Sequence, residues 1–241
     1  PHREDFVSAA ETEPCAPDEA LLGKMRAVFA AKPAATALSF VPVKAAISQL
    51  AEDRERQKHL GERRPRFLTA GGLTPAERGT ALHRFLQFAD YLEAREDSAA
   101  ELDRLTAAGF LTAEESASID LKRIDALFSG ALGKRIFAAE RVRREVRFFE
   151  EIPASRIAPE ISGEDAAETV LPQGVADCVL EEAGMLVLID YKTDRVKTGG
   201  ELAARYAEQL AFYAEALEKA FGKPVKEKLL YSLWLSEIIT L

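Results

Sequence analysis

The sequence contains few cysteines, and this excludes several classes of site. Its 241 residues include only Cys15 and Cys178. Two cysteines are too few for a four-cysteine zinc or iron–sulfur site, and their wide separation along the chain argues against a disulfide framework. A metal ion in this protein would therefore be held mainly by carboxylate oxygen and imidazole nitrogen.

Long apolar runs and an excess of positive charge are also missing. No apolar stretch approaches the roughly 18 residues of a membrane helix, and the N-terminus lacks the pattern of a signal peptide, so the cytoplasm is the expected location. The net charge of -8 argues against nucleic-acid binding through bulk charge, although it is compatible with a local basic groove. The composition, 47% hydrophobic and 30% charged, is typical of a globular protein.

The beginning of the chain differs in composition from the rest. Residues 1–20 are rich in Pro, Glu, Asp and Ala, which predicts a linker. The apolar spacing of residues 21–29 predicts a short helix that docks on the main domain. We therefore divide the chain into a linker with a docking helix at 1–37 and a main domain at 38–241. The initial Pro1 suggests a piece of a longer protein.

A strong helix is predicted to begin after Thr74. Thr74 is placed as the N-cap, Pro75 as the first helical residue and Glu77 as the partner in a capping box. Residues 97–139 continue as amphipathic helical segments separated by glycines, including Gly133. The first helix is predicted to bury the stripe Leu82, Phe85, Leu86, Ala89 and Leu92, with His83, Gln87 and Asp90 along its border.

The pattern changes to strands after Arg141. Three β-rich segments follow the helices, then one long helix and one last strand. The predicted bounds are Val142–Ile152, Val175–Glu181 and Met185–Lys192 for the three strands, 200–221 for the helix and Leu229–Ser236 for the last strand.

The two middle strands bring carboxylates together. If Ala183-Gly184 is a two-residue turn, Asp177 lies directly across from Asp190. Opposed like charges destabilise a sheet unless a cation lies between them. Lys192 lies on the same face as Asp190, because strand side chains repeat with a period of two. The turn is not of the Asn-Gly type, so a slip of the register by one residue remains an alternative.

Two interpretations of these residues stay open. Taken alone, an Asp-Tyr-Lys sequence at a strand end, such as Asp190 to Lys192, is usually a solvated edge. Asp177, however, interrupts an apolar strand, where an unpaired charge is costly. Together the residues favour a site for Mg²⁺ or Mn²⁺, which prefer oxygen ligands, and phosphodiester hydrolysis is the chemistry such a site best serves.

Four motifs occur in a fixed order along the chain. They are Gly79-Thr80-Ala81-Leu82-His83, Gly174-Val175-Ala176-Asp177, Asp190-Tyr191-Lys192-Thr193 and Gln209-Leu210-x-x-Tyr213. This series resembles the signature of the RecB-family nuclease domains within the PD-(D/E)XK superfamily. The sequence around the motifs is similar to the C-terminal nuclease domains of AddA-type helicase-nucleases.

The resemblance implies an α/β fold, a restriction-endonuclease-like αβββαβ core whose mixed sheet is flanked by helices, with additional N-terminal and inserted helices. It implies Mg²⁺, or Mn²⁺, as the cofactor. An iron–sulfur cluster and an ATP site are expected to be absent, since the required cysteines and the G-x-x-x-x-G-K-[ST] motif are missing. The implied metal ligands are His83, Asp177, Asp190 and the backbone carbonyl of Tyr191. The implied catalytic residues are Asp177, Asp190 and Lys192, supported by Gln209 and Tyr213. Glu145 is a further acidic candidate.

The implied function is a Mg²⁺-dependent DNA nuclease acting on a single-stranded end. In the implied whole protein it works with the helicase portion of the same chain and an AddB-like partner protein in double-strand break repair and recombination. Basic segments at Lys134–Arg147 and Lys192–Lys197 are candidate contacts to the DNA backbone. Two alternatives are a catalytically silent docking domain of the same fold and a hydrolase of small phosphoesters.

Overall fold

The computed structural model describes Glu19 and residues 72–157, 162–163 and 167–241. Apart from Glu19, the predicted linker and docking helix at 1–37 lie outside these residues. Within the described part of the chain, no helix combines the length and apolar character needed to cross a membrane.

Six helices precede the main sheet in the described residues. The first begins as predicted, because the Thr74 hydroxyl accepts a hydrogen bond from the Glu77 N–H and the Glu77 carboxylate accepts one from the Thr74 N–H. The helices are α1 (Pro75–Phe88), α2 (Tyr91–Glu96), α3 (Ser98–Ala107), α4 (Ala113–Ser118), α5 (Leu121–Ser129) and α6 (Ala131–Ala138).

The first helix ends earlier than its apolar stripe predicts. Asp90 is the N-cap of α2 and accepts hydrogen bonds from the backbone N–H groups of Leu92 and Glu93. Capping by aspartate competes with continuation of the helix. Leu92 is consequently 63% exposed, so its placement in the buried stripe was wrong, as was that of Asp90 on the border of the same helix. The other four stripe residues are buried.

Gly133 also differs from the prediction. It lies inside α6 rather than between two helices. A Cβ atom at this position would lie 2.1 Å from the backbone oxygen of Phe128. The glycine therefore permits α6 to pack closely against the end of α5, which explains a helix-breaking residue in a helix interior.

The main sheet is mixed, which confirms the predicted architecture. Its strand order is β1-β4-β5-β6-β7, and only β5 and β6 are parallel. The strands are β1 (Arg141–Phe149), β4 (Gln173–Glu182), β5 (Met185–Lys192), β6 (Val225–Ser232) and β7 (Glu237–Thr240). The long helix α8 (Gly199–Phe221) connects β5 to β6, while β2 (Ile152–Pro153) and β3 (Thr169–Val170) pair separately, with α7 (Ala154–Ile157) between them.

Two strand predictions need correction. The first strand ends at Phe149 rather than Ile152. The predicted last strand at Leu229–Ser236 combines the end of β6 with a turn, and the chain returns as β7. Ser236, at the end of that turn, has a φ of 54°. The turn carries the apolar sequence Leu-Trp-Leu, which reads as a continuation of the strand.

The central strand β5 is buried on both faces. Helices α1 to α6 cover one face, where Val187, Ile189 and Tyr191 belong to the core cluster. Helix α8 covers the other face, where Leu186 and Leu188 pack. Polar side chains near the end of β5 therefore lie in the interior, where burial changes their ionisation.

Candidate active site

The register between β4 and β5 is the predicted one. Cys178 pairs with Ile189, so the next position along the ladder places Asp177 opposite Asp190. The turn residues Ala183 and Gly184 have φ values of 52° and 74°. Positive φ at both central residues is the geometry of a type I′ hairpin, whose twist matches that of the strands. The turn therefore sets the register even with alanine in its first position.

Strand β1 extends this row of carboxylates. Its register with β4 places Glu145 opposite Asp177, because Arg144 and Val146 pair with the residues on either side. Glu145 has a φ of 51°. Arg144 donates to backbone carbonyls at the end of α1, whereas Val146 packs on the α8 side. The left-handed residue thus interrupts the alternation of faces beside Asp177.

Asp177 is held by the first helix and by its neighbouring strand. Its Oδ1 lies 3.4 Å from Nδ1 of His83, and its Oδ2 accepts a hydrogen bond of 2.8 Å from the Tyr191 N–H. Burial raises the pKa of Asp177, but the His83 charge and hydrogen bond outweigh it, and the pKa is lowered. Burial lowers the pKa of His83, but Asp177 outweighs it, and that pKa is raised.

Asp190 and Lys192 form a buried ion pair. Nζ of Lys192 lies 2.8 Å from Oδ2 of Asp190. Burial raises the pKa of Asp190 to about 6, against the opposing charge of Lys192. Burial also acts to lower the pKa of Lys192, but the carboxylate outweighs it, so the pKa is raised and the side chain stays cationic at neutral pH.

A pocket of about 440 Å³ collects the predicted side chains. Tyr191 is not among the lining residues: its side chain is buried with the α1 to α6 cluster, and its backbone N–H donates to Asp177. Glu145 is not among the lining residues either. Its pKa is nevertheless raised, mainly by burial and in addition by the negative charge of Asp177. The predicted residues that line the pocket are His83, Asp177, Asp190, Lys192, Gln209 and Tyr213.

Helix α8 contributes the two polar side chains predicted for it. Gln209 and Tyr213 are buried, with 5% and 2% of their surface exposed. Burial raises the pKa of Tyr213 to about 12, and a hydrogen bond with Gln209 opposes the rise. Oε1 of Gln209 has no hydrogen-bond partner in the described residues. A buried polar atom without a partner is costly, so it indicates a ligand that binds here.

The donor set fits a divalent cation. Oδ2 of Asp190 is buried without hydrogen-bond geometry to any described residue, although it lies close to Lys192. Carboxylates and imidazole suit Mg²⁺ or Mn²⁺. In the ranges that the structure describes, no three His, Cys, Asp or Glu side chains are already grouped as a metal centre. Instead, Asp177 is paired with His83 and Asp190 with Lys192.

One neighbour of Lys192 escaped the sequence reasoning. Nζ of Lys192 lies 3.9 Å from the centroid of the Tyr206 ring, a cation–π contact that fixes the ammonium group. The Tyr206 hydroxyl lies 3.2 Å from both carboxylate oxygens of Asp194. In the sequence Tyr206 belongs to the apolar stripe of the long helix, and its position three residues before Gln209 was the available signal.

Three of the six basic side chains in the predicted segment Lys134–Arg147 have partners within the protein. Arg135 binds Glu182 on β4 and Glu227 on β6, and Arg143 binds Glu181 on β4. Arg144 donates to the carbonyls at the end of α1. Arg147, by contrast, lines the pocket. Arg135, Arg143 and Arg144 already have partners within the fold, and the interpretation of the segment as a contact to DNA stays a prediction.

The mixed sheet flanked by helices is the fold expected of a known family that the sequence matches. The profile of the PD-(D/E)XK nuclease superfamily matches residues 54–237. The chain belongs to the PD-(D/E)XK nuclease superfamily.

Individual relatives carry a more specific name, the A-subunit of an ATP-dependent helicase/nuclease. The chain is 41% identical over 181 residues to the protein of this name from Acetivibrio thermocellus, covering 73% of this chain and 14% of that protein. Its counterpart in Bacillus cytotoxicus is 40% identical over 189 residues, which are 74% of this chain and 15% of the relative. The protein from Desulforudis audaxviator is 44% identical over 176 residues, which are 70% of this chain and 14% of that protein. These matches confirm the resemblance found in the motifs, and the chain spans about one seventh of these relatives' length.

Proposed function

We propose that this chain is a divalent-metal-dependent nuclease that hydrolyses phosphodiester bonds in single-stranded DNA. One observation carries the proposal: Asp177 and Asp190 oppose each other in a pocket that also holds the buried ammonium group of Lys192. Two carboxylates beside a fixed cation suit the binding of a metal ion and of the negatively charged phosphate.

His83, Asp177, Asp190 and the backbone carbonyl of Tyr191 would hold Mg²⁺ or Mn²⁺. When bound, the ion supplies positive charge that polarises a phosphoryl oxygen and lowers the pKa of a nearby water molecule. His83 ties the first helix to Asp177, so that the two donors enter the site together.

Lys192 acts on the reacting phosphate. Its ammonium group, held against Tyr206, stabilises the negative charge that grows on the phosphoryl oxygens as water attacks phosphorus. Gln209 and Tyr213 lie beside it on α8 and supply an amide and a hydroxyl group to orient the phosphate. The amide N–H groups of Gln209 can donate to a phosphate oxygen, whereas the unpaired Oε1 is an acceptor and would be satisfied by a donor such as a water molecule in the site.

We further propose that the chain is the nuclease module of an ATP-dependent helicase-nuclease. The name of the relatives combines both activities, and the part of those proteins outside the match is large enough for a motor. In this proposal the motor delivers a DNA strand during break repair and recombination in the cytoplasm, with an AddB-like partner protein.

A cleavage assay tests the nuclease assignment. We expect the chain to shorten end-labelled single-stranded DNA with Mg²⁺ and to leave it intact with a chelator. The Asp190→Asn variant, purified in parallel, should be inactive and so exclude a contaminating nuclease. DNA that is bound but never cut, with Mg²⁺ or Mn²⁺, would instead support a silent docking domain.

A further inference from the structure

An exposed face of the sheet continues outward from the pocket. Arg147 and Phe149 on β1 pair with Val175 and Gln173 on β4. Directly opposed residues of an antiparallel pair lie on the same face of the sheet. All four line the pocket that contains the opposed carboxylates. We call these four residues the β1–β4 platform.

The ring of Phe149 is an uncovered apolar surface. It is 60% exposed, whereas the preceding Phe148 is 4% exposed and packs in the core. In the described part of the chain, Phe149 makes no ring contact and belongs to neither core cluster. Val175 beside it is 38% exposed. Packing among the described residues therefore gives no reason for a phenylalanine at this position.

Other exposed aromatic rings in the described residues are already covered. Phe88 and Phe110 stack on each other with ring centroids 4.6 Å apart. Trp234 has an arginine guanidinium 4.3 Å from its ring centroid and a second at 4.8 Å. Phe149 thus differs from these rings in having its face available to a ligand at the mouth of the pocket.

A positive charge lies two residues away. Within the described ranges, Arg147 has no hydrogen bond or ion pair, unlike Arg135 and Arg143 in the same basic segment. A guanidinium group with free donors suits a phosphate oxygen. An uncovered ring with a free guanidinium nearby is a combination that single-stranded nucleic acids use, since the ring stacks on a base and the cation contacts the backbone.

We propose that the β1–β4 platform binds one unpaired nucleotide next to the phosphate that is cut. Phe149 stacks on the base, Val175 widens the apolar surface and Arg147 contacts the adjoining phosphate. Inside a duplex both faces of a base are covered by its neighbours, so an internal paired base cannot stack on Phe149. The platform therefore selects a single strand over a duplex. This inference rests on the proposed nuclease function, because it names the strand that enters the pocket.

Binding without metal separates the platform from catalysis. A short fluorescent single-stranded oligonucleotide, titrated with the protein in chelator, gives a dissociation constant by anisotropy. We expect Phe149→Ala to weaken binding about 5- to 100-fold and Phe149→Trp to restore it. Leu92→Ala is the matched control, because Leu92 is 63% exposed and lies outside the pocket lining. Equal affinity of wild type and Phe149→Ala would overturn the proposal.

Removing the bases identifies the contact that is lost. With an abasic strand, wild type should bind as weakly as Phe149→Ala, and the two proteins should no longer differ. Arg147→Gln should weaken normal and abasic strands alike and reduce the salt dependence by about one phosphate contact. A Phe149→Ala effect that persists on the abasic strand would contradict stacking on a base.

The preference for a single strand has its own readout. The ratio of duplex to single-strand dissociation constants should fall toward one in Phe149→Ala and remain at the wild-type value in Leu92→Ala. An unchanged ratio in Phe149→Ala would contradict the selection of a single strand. A wild type that binds this way but cuts no DNA with Mg²⁺ would overturn the proposed nuclease function and leave the platform standing.

Discussion

Lys192 and Asp190 lie two positions apart on β5, with Nζ of the lysine 2.8 Å from Oδ2 of the aspartate in the protein interior. The pair joins a group that would bind metal to a group that would contact phosphate. Each side chain compensates the charge of the other, since burial by itself disfavours both ionised forms. Removing either one leaves a buried charge without its partner, which is costly for stability.

Replacing Lys192 should separate catalysis from binding. In Lys192→Met we expect cleavage to fall ~10²–10³-fold, by analogy with the loss of one preorganised donor to a developing oxyanion. DNA affinity should change little, because one lysine is a small part of the backbone contacts. Lys122→Met, at an exposed lysine on α5 outside the pocket lining, is the control. Equal losses in binding and turnover would make Lys192 a phosphate clamp.

Removal of one carboxylate should abolish the response to metal. We expect millimolar Mg²⁺ to raise the thermal unfolding midpoint of wild type, because a ligand that binds the folded state stabilises it. Asp190→Asn should show no such rise and no cleavage, while its circular dichroism spectrum stays that of wild type. Asp103→Asn, an exposed aspartate on α3, should respond like wild type. A wild-type midpoint independent of Mg²⁺ and Mn²⁺ would count against the site.

His83 should contribute to metal affinity rather than to folding. We expect His83→Asn to lower cleavage by at least about tenfold at limiting Mg²⁺ and to regain activity as the ion concentration rises. Gln87→Ala, one turn further along α1, lies outside the pocket lining and is the matched control. If His83→Asn cleaves like wild type at every Mg²⁺ concentration, then His83 only packs the helix against the sheet.

The position of the Phe148 ring requires a glycine at residue 174. Gly174 pairs with Phe148 across β1 and β4, and a Cβ atom would lie 2.3 Å from Cζ of that ring. The ring of Phe148 in turn packs edge-on against the ring of Tyr213, with the two ring centroids 4.9 Å apart. We expect Gly174→Ala to lower the free energy of unfolding by about 1–3 kcal/mol, measured by urea denaturation. Gly200→Ala, whose Cβ would have no contact closer than 3.8 Å, should cost nothing.

Acid should remove the stabilisation that Arg135 provides. Hydrogen bonds from Arg135 lower the pKa of Glu182 from 4.5 to about 2, and Arg135 also binds Glu227. Because the folded-state pKa is depressed, the stabilisation is complete above about pH 4.5 and is lost as the pH falls through 2. We expect Arg135→Gln to lower the free energy of unfolding by only about 1–2 kcal/mol at neutral pH, because solvent screens the contact with Glu227.

The difference in the free energy of unfolding between wild type and Arg135→Gln should become smaller as the pH falls from about 4.5 to about 2. Urea denaturation of both proteins at a series of pH values measures it. A difference that is unchanged down to pH 2 would show that Arg135 stabilises the fold through packing rather than charge.

Local patterns in the sequence were sufficient for much of the site. The capping box at Thr74 fixed the start of α1, and the two-residue turn fixed the opposition of Asp177 and Asp190. Both depend on contacts between residues close in sequence, so they can be read from spacing alone. The charge of Asp177 within an apolar strand indicated function for a similar reason, since burial follows from its immediate neighbours.

Other features were decided either by local competition between two structures or by contacts between distant segments. The end of α1 and the exposure of Leu92 were decided by competition between a helix and the Asp90 cap, and the apolar turn before β7 reads like strand. The basic segment near Arg147 is uniform in sequence, yet glutamates on other strands engage Arg135 and Arg143. Only the tertiary structure decided which cation faces the pocket, because charge neutralisation depends on partners that the fold brings from far along the chain.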